Sequence, residues 1–336
     1  MNTWRSLACA AAVCMSSVLA PVLANAESVS LMVGGIEKQI YLPAILAEDL
    51  GYFRQEGLDV QILSEPAGVE AADEMLAGAV QGVVGFYDHN IDLQALGKYT
   101  ESVVQFSRAP GEVELVAAAH PEIRSVADLK GRTIGVTGLG SSTDFLTAYL
   151  LHRSGLNISD VTTLPVGAGD TLIAAMRHDQ IQAAMTTEPT VSRLLTVDKA
   201  RVLVDMRTVE GTRAALGGLY PAACLYMETS WVETHRETVQ KLANAFVRTM
   251  KFIATHSADQ IAEYVPPAFF VGDRALYVSA LAAGKEMFTA DGRMPDGGPQ
   301  TVLAVLSNIK PNVRDKAIDL SKTYTTEFVD KANSMP

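Results

Sequence analysis

Gly135-Val136-Thr137-Gly138-Leu139-Gly140-Ser141-Ser142-Thr143-Asp144 is the stretch that decides the fold. It continues an apolar run from Thr133 that reads as a strand, and it opens the helical pattern Thr143 to Ser154. A strand that runs through a glycine-rich loop into a helix is the repeating unit of a parallel α/β sheet. Glycines let the backbone approach a ligand, and free amides with hydroxyls at a helix N-terminus attract an anion. A capping box, Ser141 with Asp144 three residues on, accounts for the Ser and the Asp but not for the glycines. The loop lacks the lysine of a P-loop, and its glycines are not spaced G-x-G-x-x-G, which argues against a nucleotide. Ser141, Ser142 and Thr143 are therefore candidate ligand contacts.

The same alternation extends on both sides. Toward the N-terminus, Val29 to Val33, Leu58 to Leu63, Val80 to Val84 and Ser102 to Phe106 are apolar runs of strand length. Helical segments Leu42 to Leu50, Val69 to Ala77 and Ile91 to Leu96 separate them. Toward the C-terminus, Val161 to Leu164, Ile181 to Met185 and Val202 to Val204 alternate with helical Thr171 to Arg177 and Val191 to Leu195. This predicts mostly parallel sheets flanked by helices. After about Leu219 only helical stretches remain, Arg236 to His256, Asp273 to Phe288 and Thr301 to Ser307, and they are expected to pack back on the first domain. The second domain, 117–217, is then an insertion between a first part at 27–116 and a mostly helical part at 218–336. Crossings are expected near Glu114 to Ala118 and Gly217 to Leu225. Two α/β domains joined twice form a cleft at the carboxyl ends of their strands, and hinge closure can shut it over a ligand.

Composition agrees with two domains: 336 residues, 48% hydrophobic and 19% charged, is ordinary for a soluble globular protein. Residues 1–26 differ from the rest, with Arg5 as the sole charge, small apolar residues from Leu7 to Leu23, and an A-x-A site at Ala24-Asn25-Ala26. This predicts a signal peptide cleaved between Ala26 and Glu27. Without Arg5 the chain keeps 26 basic against 38 acidic residues, a net charge of −12 that argues against nucleic acid or anionic lipid as partner. Cys9 and Cys14 leave with the signal. The remaining Cys224 can form no internal disulfide and, beside Ala222, Ala223 and Leu225, reads as a small buried hydrophobe.

The other strand-end loops supply further candidates. Gly34 to Gln39 follows the first strand and contains Gly35, Glu37 and Gln39. Gly85 to Asn90 follows the third and presents Phe86, Tyr87, Asp88 and His89. There the aromatics fit either core or ligand, and Asp88 either caps a helix or faces the cleft. Asp88, His89 and Asp92 lack a second histidine, and no metal or other cofactor is expected. Glu188, before Pro189, is either a first-turn acid matching a helix dipole or an acceptor in the cleft. Tyr220 lies where the chain returns to the first domain and can wall the cleft. No G-x-S-x-G elbow, H-E-x-x-H helix or Cys/His pair is present, so no enzymatic activity is expected.

Tyr41-Leu42-Pro43, Ala47, Gly51-Tyr52-Phe53, Glu56-Gly57-Leu58-Asp59-Val60, and Asp128-Leu129-Lys130-Gly131 before the strand at Thr133 resemble periplasmic substrate-binding proteins of ABC importers. The sequence is similar to their nitrate/sulfonate/taurine group, which includes binders of thiamine-precursor pyrimidines. The resemblance implies an α/β fold of two lobes, type II in topology, with the ligand cleft between them. It also implies a periplasmic location, a permease and ATPase in the inner membrane as partners, and a monomer that closes over a small molecule. By position it places ligand contacts on Gly34 to Gln39, Gly85 to His89, Ser141 to Thr143, and Glu188. Asp88-His89 departs from the small residues that many anion-binding members carry there, which disfavours nitrate or bicarbonate. An organic sulfonate or carboxylate, aromatic in body, is the expected ligand, and a pyrimidine or other nitrogen heterocycle the alternative. Pyrimidine-synthesis enzymes that share the fold carry a cysteine-rich metal motif that Cys224 alone does not supply. A ligand-sensing subunit is a further alternative.

Overall fold

Short runs dominated by Val, Ile, Leu and Ala become strands because helices cover both faces of the sheets they join. Val83, Val84 and Phe86 of the third strand, for example, are all buried. The protein is described by a computed structural model over residues 27–270 and 272–335; the expected signal peptide lies outside these residues. Among the described residues ten strands form: β1 (Glu27–Val33), β2 (Leu58–Ser64), β3 (Gly82–Phe86), β4 (Thr100–Gln105), β5 (Glu112–Val116), β6 (Thr133–Val136), β7 (Thr162–Pro165), β8 (Ala183–Thr187), β9 (Arg201–Asp205) and β10 (Ala223–Glu228).

They assemble into two five-stranded sheets of order β2-β1-β3-β10-β4 and β7-β6-β8-β5-β9. The expected two-lobed α/β architecture is present, and each sheet is mixed. β10 runs antiparallel to β3 and β4, and β5 runs antiparallel to β8 and β9. β5 moves the first crossing ahead of Glu114 to Ala118, and β10 adds a strand after Leu219, where only helices are expected. β5 follows β4 without a helix between them, so the β-α alternation that marks the other strands is missing ahead of it. The chain passes between sheets at 106–111 and returns between β9 and β10, through the helix Val209–Leu216.

The longest C-terminal helix packs on the first lobe. Helix Arg236–Thr255 buries Val239, Leu242, Phe246, Met250 and Ile253 along one stripe, with Phe246 edge-on to Phe53 at 5.2 Å. Helix Gly298–Ile309 packs on Ser142–Arg153, which follows β6, so the tail does not lie on the first lobe alone as expected. Just beyond it, the Lys310 ammonium sits 2.6 Å from Asp92 and 4.3 Å above the Phe145 ring.

β5 carries an acid into the interior of the second sheet. Glu114 is buried, accepts a hydrogen bond from Thr147 at 3.2 Å, and has Oε1 without a partner among the described residues. Burial raises its pKa from 4.5 to about 8. Because the folded-state value is the higher one, this group's stability contribution is full below pH 4.5 and is lost as pH rises through about 8. Glu114→Gln is therefore expected to flatten the fall in stability over that window. At pH 9 it should raise stability by a few kcal/mol, since each pH unit between the unfolded and folded pKa values is worth ~1.4 kcal/mol. Thermal unfolding of both proteins at pH 5 and pH 9 measures it; equal losses on raising the pH would remove Glu114 as the cause.

Candidate functional site

Four loops meet where the carboxyl ends of β1, β3, β6 and β8 face one another. After β1, Gly34 lies flat against the chain at Gly68, where an added Cβ would stand 2.8 Å from Gly68 Cα. Gly35 adopts φ +105°, and Lys38 folds back over it. The Lys38 ammonium donates to the Gly34 carbonyl at 2.6 Å and the Pro66 carbonyl at 3.3 Å. Burial lowers its pKa, opposed by Glu37, Glu112 and Glu70.

Asp88, in the first turn of the helix after β3, is the hub of the site. Ser142 donates to its Oδ1 and Tyr220 to its Oδ2, each at 2.8 Å. Ser142 belongs to the second lobe and Tyr220 to the return crossing, so one buried carboxylate joins three parts of the chain. Burial raises the Asp88 pKa, while His89 and both hydroxyl donors pull it down. Beside it, Ser141 accepts from the Val69 amide at 3.3 Å, and the Gln39 amide donates to the Glu188 carbonyl at 3.0 Å. The capping box weighed for Ser141 and Asp144 does not form: Ser141 reaches across the cleft, and Asp144 accepts from the Gly140 amide.

These contacts enclose a cavity of about 20 Å³, room for roughly one water. Lys38, Tyr41, Gly68 and Phe86 line it from the first lobe; Glu112, Thr137, Ser141, Ser142, Thr143 and Thr187 line it from the second. Phe86 stands edge-on to Tyr41, with ring centroids 6.1 Å apart. Glu112 Oε2 and Thr187 Oγ1 are buried without a hydrogen-bond partner among the described residues. Burial, then the Asp88 charge, raises the Glu112 pKa well above the carboxylate range, against the pull of Lys38.

Of the residues singled out in the sequence, Phe86, Ser141, Ser142 and Thr143 line this cavity, and Asp88 with Tyr220 stands directly behind Ser142. Gly35 and Gln39 do not line it: Lys38 folds over Gly35, and Gln39 Nε2 holds the Tyr277 carbonyl at 2.8 Å. Glu37 is half-buried on the same loop. Tyr87 turns the other way, its hydroxyl bonded to Thr323. His89 is buried against Gly68 and Phe145, with Nε2 unpartnered among the described residues. The Glu188 carboxylate is engaged on both sides, by Arg207 at 2.8 Å and the Ser192 amide at 2.9 Å, so it does not face the cavity. Glu112, Tyr41, Gly68 and Thr187 are lining residues that sequence reasoning missed. The signal for Glu112 was the alternation Glu112-Val113-Glu114-Leu115, which places two acids on one face of a buried strand.

Two mixed sheets with their loop ends closed on a polar cavity make a two-lobed α/β fold. The sequence profile described as NMT1/THI5 like matches residues 40–259, and the chain belongs to that family. A solved structure from Bordetella bronchiseptica RB50 is 37% identical, with a TM-score of 0.88 over 91% of this chain and 96% of its own. Two more distant neighbours share the fold. The alkanesulfonate-binding protein SsuA from Xanthomonas axonopodis pv. citri, bound to MOPS, is 19% identical at TM-score 0.68 over 89% of this chain and 98% of its own. The periplasmic nitrate-binding protein NrtA from Synechocystis PCC 6803 is 12% identical at TM-score 0.70 over 91% of this chain and 88% of its own.

Closure leaves a testable mark on Gly138, where an added Cβ would lie 2.9 Å from the Ala67 Cβ of the opposite lobe. Gly138→Val is expected to hold the lobes apart while each stays folded. Ser142→Ala removes a charge-assisted bond of about 1.5 to 3 kcal/mol and shifts the balance the same way. Small-angle scattering should show a larger radius of gyration for both variants at unchanged far-UV circular dichroism. Wild-type dimensions in both would mean that these contacts do not hold the closed form.

Proposed function

We propose that the chain is the extracytoplasmic substrate-binding component of an ABC importer, which captures a small organic molecule by hinge closure and delivers it to a membrane permease and its ATPase. The observation that carries this reading is the hydrogen bonding of one lobe to the other around a buried polar cavity: Ser142 to Asp88, Val69 to Ser141 and Gln39 to Glu188. Such contacts couple lobe closure to whatever fills the cavity. The lobes of this reading are 27–116 with 218–336 and 117–217, the second extended at its start to include β5. Phe86, Ser141, Ser142 and Thr143 supply contacts to the ligand, and Asp88 and Tyr220 hold them in place.

An organic sulfonate or carboxylate is supported by the hydroxyl-rich helix N-terminus at Ser141 to Thr143 and by the MOPS-bound sulfonate-binding neighbour. A nitrogen heterocycle is favoured by the unpartnered Glu112 carboxylate oxygen. An enzymatic role finds no nucleophile in Cys224, which is buried in β10 with its thiol pKa pushed up by burial. No helix among the described residues is long and apolar enough to cross a membrane. Export to the periplasm as a monomer, after cleavage between Ala26 and Glu27, completes the reading.

A thermal-shift screen of the mature chain with sulfonates, aromatic carboxylates, amino acids and pyrimidines tests the binding role. A ligand at about 100 times its dissociation constant adds about 2.7 kcal/mol of stability. Absence of a shift across every class would count against a solute-binding role. Mass spectrometry of the periplasmic fraction should find Glu27 at the N-terminus, and an intact Met1 in the cytoplasm would refute the export step.

A further inference from the structure

A second cavity, of about 230 Å³, lies in the seam between helices Asp170–Arg177 and Thr190–Thr196 of the second lobe and the segment Pro267–Phe270 with helix Arg274–Gly284 of the first. Its lining is distinct from that of the cleft cavity. Ile173, Leu276, Phe270 and Tyr277 give it apolar walls, with the two rings edge-on at 5.2 Å. Two guanidiniums border it. Arg177 spends Nε and Nη2 on the two oxygens of Asp198, so that pair is complete. Arg193 spends only Nη2, on an Asp170 side chain that is 78% exposed, while its own side chain is 22% exposed. An ion pair with an exposed partner is weak, and the Nε and Nη1 donors of Arg193 have no partner among the described residues. Asp273, the other acid on the lining, accepts from the Leu276 amide at 2.8 Å. Tyr277 is 3% exposed, and its hydroxyl has no hydrogen-bond partner among the described residues. Burial pushes its pKa up, so the phenol keeps its proton and can donate. Free guanidinium N–H groups and a buried phenol beside apolar walls suit acceptor oxygens carried on an apolar body.

We propose that this seam is a second binding site, one that takes a small carboxylic acid with an aromatic or branched aliphatic body and fastens the lobes together. The carboxylate accepts from Arg193 and from the Tyr277 hydroxyl, and the body packs against Ile173, Leu276 and Phe270. The space is smaller than the ~300 Å³ at which drug-sized pockets begin, which limits the acid to about one ring. An amine of the same size would set a cation beside Arg177 and Arg193, an arrangement that costs energy. Because Arg193 and Tyr277 belong to opposite lobes, an acid held by both lends its binding free energy to the closed form. That closing effect rests on the hinge reading above; the site itself does not.

The probe is 4-bromophenylacetate, with 4-bromobenzylamine as its cationic counterpart, applied to the mature wild-type chain, Arg193→Gln and Tyr277→Phe. Calorimetry should show the acid and not the amine binding to the wild type, and anomalous scattering from crystals of the complex should place the bromine in the seam. Arg193→Gln should weaken binding about tenfold or more, and Tyr277→Phe by less. The Val69 and Gln39 amides, which bond to the opposite lobe, report closure. Their hydrogen exchange should slow when the acid is added to the wild type and should respond less in Arg193→Gln at the same concentration. Bromine in the cleft alone, binding at crystal concentration only, equal affinity in Arg193→Gln, or unchanged exchange with the seam occupied each overturns the inference. All four leave the solute-binding reading standing, because ligands of the cleft decide that one. If Arg193→Gln does not fold, Tyr277→Phe and the wild type's preference between acid and amine decide the matter.

Discussion

A carboxylate withdrawn from water must be met by hydrogen-bond donors, and Asp88 recruits them from two parts of the chain remote in sequence. Ser142 comes from the second sheet's domain, and Tyr220 comes from the segment that leads back to β10. Separation of the lobes takes Ser142 away and leaves one oxygen of Asp88 to find water. Tyr220 is tied to the other crossing through its amide bond to the Arg108 carbonyl at 3.2 Å, so its own bond to Asp88 can survive opening. Asp88 is therefore half satisfied by the hinge side and half by the moving side. That division makes a single side chain both part of the scaffold and part of the closure.

Legibility in the sequence followed the period of the hydrophobic pattern. β6 spans Thr133–Val136 as read, and the helix after it begins at Ser142, one residue from the expected start. Both owe this to a strand-loop-helix unit whose glycines mark its boundaries. β5 was not legible because it enters its sheet antiparallel without a preceding helix, and Glu112 and Glu114 break its apolar run. Losing β5 concealed Glu112. The side-chain directions of Tyr87 and Glu188 were also beyond the sequence: each loop was located, but Thr323 and Arg207, the groups that claim those side chains, lie far along the chain or on another element.

The glycines of the β6 loop have a structural reason besides ligand approach. Gly138 faces Ala67, where an added Cβ would stand 2.9 Å from the Ala67 Cβ, and Gly140 adopts φ +82° beside Val69, so the loop doubles as the contact by which the lobes meet. The N-terminus of helix Gly68–Leu76 is correspondingly bare of large residues, with Ala67 and Gly68 at the contact. Gly68 in turn gives space to the His89 imidazole behind it, where a Cβ would stand 2.8 Å from Nε2. Small residues thus stack from Gly34 through Gly68 within the first lobe, and Ala67 beside them meets Gly138 of the second.

Closure and ligand capture compete for some of the same groups. The cavity holds about 20 Å³, far below a typical pocket of roughly 300 Å³ or more, so an organic ligand enters only by moving the lobes or the side chains that fill the space. Contacts outside that space, such as the Gln39 amide on the Glu188 carbonyl, can persist with the ligand in place and assist closure. Contacts inside it, above all Ser142 on Asp88, must be shared or surrendered, and the ligand then binds with an apparent affinity reduced by the fraction of molecules closed without it. An acceptor ligand at Ser142 would have to displace Asp88 and leave that carboxylate buried with Tyr220 as its remaining hydroxyl donor, an exchange disfavoured by the desolvation of one carboxylate oxygen.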